Sequence, residues 1–180
     1  LISSYVFIKK VPGLANERGK IKEGTKKWDA VIVPLYFLLG IIVMPLMAGL
    51  DARFDFSPLP FGFLYLGIAI YIASLVMSMW PILHNPFFEG TVRIQRDRDQ
   101  TVIDSGPYAI IRHPGYVGMI LVSLPLPFAL GSLVSLIPAA VMIILVVIRT
   151  HLEDNTLKRE LPGYEEYAKR VKYRLIPYIW

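Results

Sequence analysis

Two long apolar runs limit this chain to the few architectures that cross a lipid bilayer. Ala30–Leu50 and Phe61–Leu83 each reach the ~20 residues that a helix needs to span the hydrocarbon core. Because lipid offers the backbone no hydrogen-bond partners, such runs form helices. The composition agrees, since 54% of the residues are hydrophobic and 18% are charged. The sequence therefore predicts an all-α, polytopic integral membrane protein.

A third apolar region is predicted to form a bent helical hairpin. Tyr116–Leu130 is shorter than the ~20 residues of a full crossing. Gly131 and Ser132 then turn the chain, and Leu133–Ile148 returns. We expect a tilted or partly re-entrant pair of helices, which brings the total to about four transmembrane segments. Three prolines are expected to bend this hairpin: Pro125, Pro127 and Pro138.

The two ends of the chain carry weaker signals. Leu1–Ile8 is apolar and runs into two lysines, which indicates the end of a truncated transmembrane helix or, alternatively, a short interfacial segment. Val11–Lys27 is Gly-rich and basic and predicts a surface loop. Tyr164–Lys172 is expected to form a short amphipathic helix, and Tyr173–Trp180 mixes basic and aromatic residues suited to the membrane interface.

The distribution of charge orients this layout. If the loops alternate sides, 18 of the 19 Lys and Arg residues share one side, and only Arg53 faces the other. The positive-inside rule makes the shared side cytoplasmic. The net charge of +5 then reflects topology and attraction to anionic lipid, and no nucleic-acid partner is expected. We expect residues 1–83 to supply N-terminal transmembrane helices and residues 84–180 to carry the function, within one continuous membrane domain.

An ionisable cluster lies at the entrance of the hairpin, between Gly106 and Gly118. Charged residues are costly near lipid and usually have a task there. Arg112 and His113 precede a helix start, where free backbone N–H groups suit an anionic ligand. His113 could instead cap or pack the helix, and Tyr108 and Tyr116 could line a pocket or belong to the interfacial belt.

A second cluster follows on the returning helix. Its residues fall within a narrow sector of one helical face: Arg149, Glu153, Thr156 and Glu160. The alternative is a solvated helix end with an ordinary ion pair four residues apart. Asp154, Lys158 and Arg159 are expected to be solvated.

Several kinds of site are excluded by the residue types. The chain has no cysteine, and its three histidines lack metal-ligand spacing, so no metal is expected. Fingerprints for dinucleotide, phosphate-loop and serine-hydrolase sites are also absent. An enzyme with this sequence must act by placing two reactants against each other.

The ordered motifs of the second half resemble the isoprenylcysteine carboxyl methyltransferase family, in its bacterial and archaeal branch. The motifs are Gly106-Pro-Tyr, Arg112-His-Pro-x-Tyr116-x-Gly118, Arg149-x-x-x-Glu153, Leu161-Pro-Gly-Tyr164-x-x-Tyr167 and Arg174-Leu-Ile-Pro177. The family usually has a second acid directly after the first, and Asp154 stands there. The resemblance covers roughly His84–Trp180, and the first two spans match only as generic helices.

This resemblance implies S-adenosylmethionine as methyl donor and a lipid-like or prenylated acceptor. By position, the cofactor-binding residues would be Gly106, Tyr108, Arg112, His113, Tyr116, Glu153 and Glu160. Arg149 would orient the acceptor, and Arg149 and Glu153 would form the catalytic pair. The resemblance also favours a prokaryotic cell membrane, with the active site on its cytoplasmic side.

Three alternatives remain open at this point. Membrane sterol reductases have a similar Arg-His turn and a closing Tyr-Arg-x-x-Pro tail, and they use NADPH. A methyltransferase of this kind could instead act on a small thiol or a lipid amine. The chain could also be a membrane scaffold without catalysis.

Overall fold

The computed structural model describes residues 23–180. Within this range the regular elements are all helical and no β-strand occurs. The all-α fold predicted from the apolar runs is therefore confirmed. The expected truncated helix at Leu1–Ile8 and most of the expected loop Val11–Lys27 lie outside the described residues.

The first span is one 26-residue helical stretch with an irregular middle. It consists of α1 (Asp29–Leu38), a π-helical turn (Leu39–Val43) and α2 (Met44–Phe54). Pro45 explains the irregularity, because a proline cannot donate a backbone hydrogen bond and its ring crowds the carbonyl four residues earlier. A π turn relieves both problems by adding one residue to the helical ring.

Two further helices are long and apolar enough to cross a membrane. They are α3 (Gly62–His84) and, later in the chain, a helix at Leu136–Glu160. The first part of this later helix is apolar, and the part from Arg149 onward is polar. With the first span, the described residues thus hold three candidate membrane-spanning helices. These helices indicate a multi-pass membrane protein.

The hairpin arm that precedes the last span is short and broken, as expected. It comprises α4 (Pro114–Ser123) and α5 (Leu126–Ala129), interrupted at Leu124 and Pro125. Gly131 then turns the chain with a φ of 69°, which a residue with a side chain adopts at a cost. The return helix is α6 (Leu136–Glu160). Pro138 lies in its first turn, where proline is well tolerated, so it is not placed to bend the helix as we expected.

The polar segments contain little regular structure. Between α3 and α4 there are only two 3-10 turns, at Arg96–Arg98 and Gly106–Ala109. After α6, Gly163 adopts a φ of 80° and α7 (Tyr164–Arg170) follows, two residues shorter than the expected amphipathic helix. These segments carry most of the predicted site residues.

The chain divides into two compact units. The apolar unit consists of Ile32–Ser78 and Tyr116–Arg149. The polar unit consists, among the described residues, of residues 23–31, Met79–Gly115 and Thr150–Trp180. This division does not test the expected functional boundary at residue 83, which stays a prediction.

The loops of the apolar unit are joined by a buried carboxylate. Asp51, at the end of α2, is only 1% exposed and accepts hydrogen bonds from the backbone N of Ser57 at 2.7 Å and from the hydroxyls of Ser57 and Ser132. The backbone N of Leu59 donates to the Gly131 carbonyl at 2.8 Å. A buried carboxylate is stable only when it is hydrogen-bonded, and here it ties two turns together.

The polar unit has its own hydrophobic core around the end of α6. Leu157, Leu161, Tyr164 and Tyr167 are buried against one another, and the loop residues Ile94 and Val102 pack on them. Asp29 of the same unit is fully buried and accepts the backbone N–H of Val92 at 2.7 Å. The loop before α4 is therefore held at several points rather than extended freely.

Candidate active site

One buried carboxylate organises the predicted site in the polar unit. Asp154 is 0% exposed on α6. Arg112 donates to it twice, with Nε 2.7 Å from Oδ1 and Nη2 3.1 Å from Oδ2. A guanidinium and a carboxylate that meet side by side form the strongest kind of ion pair in proteins. Asp154 therefore fixes the side chain of Arg112.

Other donors surround the same carboxylate. Arg174 reaches Oδ2 through Nε at 2.8 Å, and Lys158 reaches it at 3.2 Å. The hydroxyl of Tyr164 donates to Oδ1 at 3.1 Å, and Nε2 of His113 lies 3.3 Å from the same oxygen. Burial makes an isolated carboxylate costly, and these partners offset that cost.

The protonation of the partners follows from this arrangement. Burial opposes the charge of Arg112, but the hydrogen bonds to Asp154 outweigh it and leave the pKa of Arg112 above its ordinary value. Burial, reinforced by the negative charge of Asp154, raises the pKa of Tyr164. Tyr164 therefore stays protonated and acts as a donor.

The Arg112-His113 turn is also fastened to the C-terminal tail. Nη1 of Arg112 donates to the carbonyls of Val171 and Lys172 at 2.6 and 2.8 Å. The backbone N–H groups of Arg112 and His113 donate to the carbonyls of Tyr173 and Arg174, each at 2.9 Å. These contacts support a positioning role for Arg112. Its direct contact with a cofactor stays a prediction.

Two features of the Gly106 turn require a glycine: its positive φ and the close approach of a neighbouring side chain. Gly106 has a φ of 59°, and a Cβ there would lie 2.7 Å from the imidazole of His84. Tyr108, two residues on, is buried, donates to the Pro81 carbonyl at 3.3 Å and offers its own carbonyl to the Tyr167 hydroxyl at 2.7 Å. The predicted cofactor-binding turn is thus rigid and requires glycine.

The apolar unit contains two of the predicted residues, and it brings them together. The guanidinium carbon of Arg149 lies 5.1 Å from the centre of the Tyr116 ring, and Nη1 lies 3.8 Å from the sulfur of Met119. Arg149 is 6% exposed and Tyr116 is 8% exposed. A cation stacked on a buried ring is held by the ring's negative face.

Glu153 and Glu160 extend along α6 in the polar unit. Glu153 is half-buried and follows Arg149 by one helical turn. Glu160 accepts Lys26 Nζ at 2.7 and 2.8 Å, 134 residues away in the sequence. Glu160 therefore pairs with Lys26, whereas Arg112 and His113 lie against Asp154, and a shared role of these residues in binding a cofactor stays a prediction.

Asp154 corrects the sequence prediction. It was expected to be solvated with Lys158 and Arg159, yet it is fully buried, while Lys158 is partly buried and Arg159 is exposed as expected. The spacing of apolar residues around Asp154 is the sequence feature that could have indicated its burial. Three residues at helical spacing from Asp154 are buried, namely Thr150, Leu157 and Leu161, although His151 is exposed and Lys158 is partly buried.

A match to a protein-family profile identifies the family of this chain. The profile described as the isoprenylcysteine carboxyl methyltransferase (ICMT) family matches residues 64–159, more than half of the chain. The chain belongs to the isoprenylcysteine carboxyl methyltransferase family. The matched region contains the Arg112-His113 turn and the part of α6 that ends at Arg159. It does not reach the C-terminal tail, whose carbonyl groups hold that turn.

A sterol reductase shows a more distant similarity. The family member is 29% identical over 100 residues to the Delta(14)-sterol reductase of Mus musculus. The aligned region is 53% of this chain but only 24% of the reductase. The chain therefore corresponds to about a quarter of that relative.

Proposed function

We propose that the protein transfers a methyl group from S-adenosylmethionine to an amphiphilic acceptor, with the carboxylate of a prenylated cysteine, or of a similar lipid-like molecule, as substrate. The observation that carries this proposal is the family match over the region that contains Arg112, His113 and Asp154. Membership of the family supports a membrane methyltransferase. Donor and acceptor are the finer steps proposed here.

The residues present fit such a cofactor. The polar unit offers acidic groups in partly open positions, Glu153 and Glu160, which suit the ammonium and hydroxyl groups of the donor. The rigid Gly106–Tyr108 turn, His113 and Tyr116 would complete the set proposed to hold it. When bound, S-adenosylmethionine supplies an electrophilic methyl group on a positively charged sulfur.

The acceptor side needs little acid-base chemistry. A carboxylate is ionised at neutral pH, whereas a thiol or an amine is mostly protonated and would need a base. Arg149, stacked on Tyr116, supplies a buried cation that can orient a carboxylate by hydrogen bonds. Together with alignment and exclusion of water, this favours a carboxylate over a small thiol or a lipid amine.

The apolar helices suit an acceptor with a lipid tail, and the basic loops support an active site on the cytoplasmic side. The membrane proposed is a prokaryotic cell membrane, from the branch that the motifs resemble. Anionic lipid is a further expected partner.

A second candidate function is an NADPH-dependent reductase of the sterol-reductase type, favoured by the 29% identity to the murine enzyme. Calorimetric titration of the purified protein with S-adenosylhomocysteine and with NADPH separates the two. We expect heat of binding with S-adenosylhomocysteine alone. Heat with NADPH alone would reverse the assignment.

A further inference from the structure

The apolar unit contains a buried hydroxyl group that lies outside all the sequence motifs. It belongs to Tyr36, which is 8% exposed on α1, a helix whose residues after Asp29 are otherwise apolar. The hydroxyl oxygen lies 2.9 Å from Oγ of Ser123 and 3.3 Å from the Met119 carbonyl oxygen. Tyr36 also precedes residues 64–159, the region of the family match. A buried tyrosine hydroxyl needs polar partners that a phenylalanine would not, so its contacts indicate a polar task.

These contacts join α1 to the part of α4 that Arg149 touches. The hydroxyl of Ser123 donates to the carbonyl of Met119, four residues earlier, at 2.8 Å. Nη1 of Arg149 lies 3.8 Å from the sulfur of the same Met119. Tyr116, on which the guanidinium stacks, precedes Met119 by three residues and so lies on the same face of α4. One face of α4 therefore contacts both Tyr36 and Arg149.

The packing of the first span along α6 places Tyr36 toward the polar end of that helix. The hydroxyl of Ser135, just before α6, lies 3.4 Å from the Met44 carbonyl oxygen. A Cβ at Gly40, one turn earlier on the first span, would lie 3.0 Å from Cε of Met142, which is further along α6. The two helices therefore run antiparallel. Tyr36, one more turn before Gly40, lies further toward the C-terminal end of α6.

We propose that Tyr36 is a positioning residue that sets where the Arg149 guanidinium meets the acceptor carboxylate. Both side chains contact Met119, and the positive charge of Arg149 acts on the Tyr36 hydroxyl. Because the contact from α1 fixes the Met119 turn, it limits the directions in which Arg149 can hold an anion. Such fixed orientation is what electrostatic catalysis requires. This role rests on the proposed function and adds a residue of the first span to the acceptor side.

A charged ligand and its neutral counterpart test this role by calorimetry without a methyl donor. S-farnesylcysteine carries the carboxylate that Arg149 is proposed to hold, and its methyl ester has the same lipid chain without that charge. Tyr36→Phe should weaken binding of the acid about three- to tenfold, the usual effect of losing one hydrogen bond. The ester and S-adenosylhomocysteine should stay within about twofold. In an Arg149→Ala background, Tyr36→Phe should cause no further loss of acid binding, because the two residues act as one unit.

A second variant and two controls separate positioning from packing. Ser123→Ala removes the partner of the Tyr36 hydroxyl and should also weaken the acid more than the ester. Ser74→Ala is its control, because Ser74 is 3% exposed and donates to the Ile70 carbonyl, four residues earlier, at 2.8 Å. Tyr65→Phe removes a hydroxyl from a tyrosine that is 65% exposed. Both controls should keep the wild-type ratio of acid to ester affinity, and thermal unfolding shows that each variant is folded.

The outcomes distinguish this role from the proposed function. Equal weakening of acid and ester by Tyr36→Phe, or no change in either, would overturn the positioning role. A further loss of acid binding when Tyr36→Phe is added to Arg149→Ala would also contradict it. Failure of the wild-type protein to methylate S-farnesylcysteine or to bind S-adenosylhomocysteine would instead overturn the proposed function, and this role with it.

Discussion

Arg112 and Asp154, 42 residues apart in the sequence, meet side by side with hydrogen bonds of 2.7 and 3.1 Å. Both side chains are buried, at 4% and 0% exposure. The pair joins the turn before α4 to the C-terminal part of α6, and Arg174 extends the link to the tail. The geometry of the candidate site therefore depends on a carboxylate that need not touch any substrate.

Asp154→Asn should destabilise the protein strongly. The substitution keeps the shape but leaves Arg112 and Arg174 without a counter-charge, and breaking a buried ion pair typically costs about 3–5 kcal/mol. Thermal unfolding in detergent measures the effect as a fall in midpoint. The control is Asp104→Asn, which removes the exposed pair with Arg170 and should change the midpoint little. An unchanged midpoint for Asp154→Asn would contradict the role assigned to this carboxylate.

Arg112→Lys should be almost as damaging, although it keeps the charge. A lysine cannot donate to Asp154 and to the carbonyls of Val171 and Lys172 together, because it lacks the planar fork of arginine. We expect a lower unfolding midpoint and weaker S-adenosylhomocysteine binding. Arg170→Lys is the matched exposed control. Wild-type binding and stability in Arg112→Lys would show that the fork is dispensable.

Gly106→Ala should disturb the turn for two reasons. The positive φ costs a residue with a Cβ about 1–2 kcal/mol, and the new methyl group would meet the His84 ring. Adding His84→Ala should restore part of the loss by removing the steric conflict but not the backbone strain. Gly49→Ala, in a helix with open space around the Cβ, should cause no loss. The unfolding midpoints of these three variants and of the wild type check this order.

Turnover should depend on whether residue 116, beneath the guanidinium of Arg149, carries an aromatic ring, and not on its hydroxyl group. Tyr116→Phe keeps the aromatic face and should retain most methyl transfer. Tyr116→Leu removes a cation–π contact of about 0.5–2 kcal/mol and should reduce the rate several-fold or more. Arg149→Ala should abolish transfer while S-adenosylhomocysteine still binds. Equal rates for Tyr116→Phe and Tyr116→Leu would exclude the contact as a determinant of activity.

Two buried tyrosines should make the polar unit sensitive to alkali. Burial raises the pKa values of Tyr164 and Tyr167 above the ordinary value of ~10. The folded protein therefore holds these protons more tightly than the unfolded chain, so stability falls as pH rises above ~10. Unfolding midpoints between pH 8 and 11 should drop less steeply in Tyr164→Phe than in the wild type. An identical slope would contradict the shift.

The sequence predicted the membrane helices well because they follow from local physics. Apolar runs of sufficient length identify the spans without any knowledge of tertiary contacts. The turn at Gly106 was equally accessible, since Gly-Pro marks a turn and the positive φ explains the glycine.

The contacts that build the site were harder to predict. The bonds of Asp154 join residues from three distant segments, and the Lys26–Glu160 pair joins residues 134 apart. A charged residue next to Glu153 and one turn before Lys158 also looks like part of a solvated helix end. The burial of Thr150, Leu157 and Leu161 contradicts that interpretation, but this burial depends on the segments that pack against the helix.

Transfer of a labelled methyl group tests the central claim most directly. The purified protein in proteoliposomes is supplied with methyl-labelled S-adenosylmethionine and a panel of prenylated cysteines, small thiols and amine lipids, with Glu153→Gln as the inactive control. We predict label on the carboxylate of a prenylated cysteine or a similar lipid acid, released by mild base as a methyl ester is, and none with the control. No transfer to any acceptor, together with NADPH-dependent reduction of a sterol, would contradict the account.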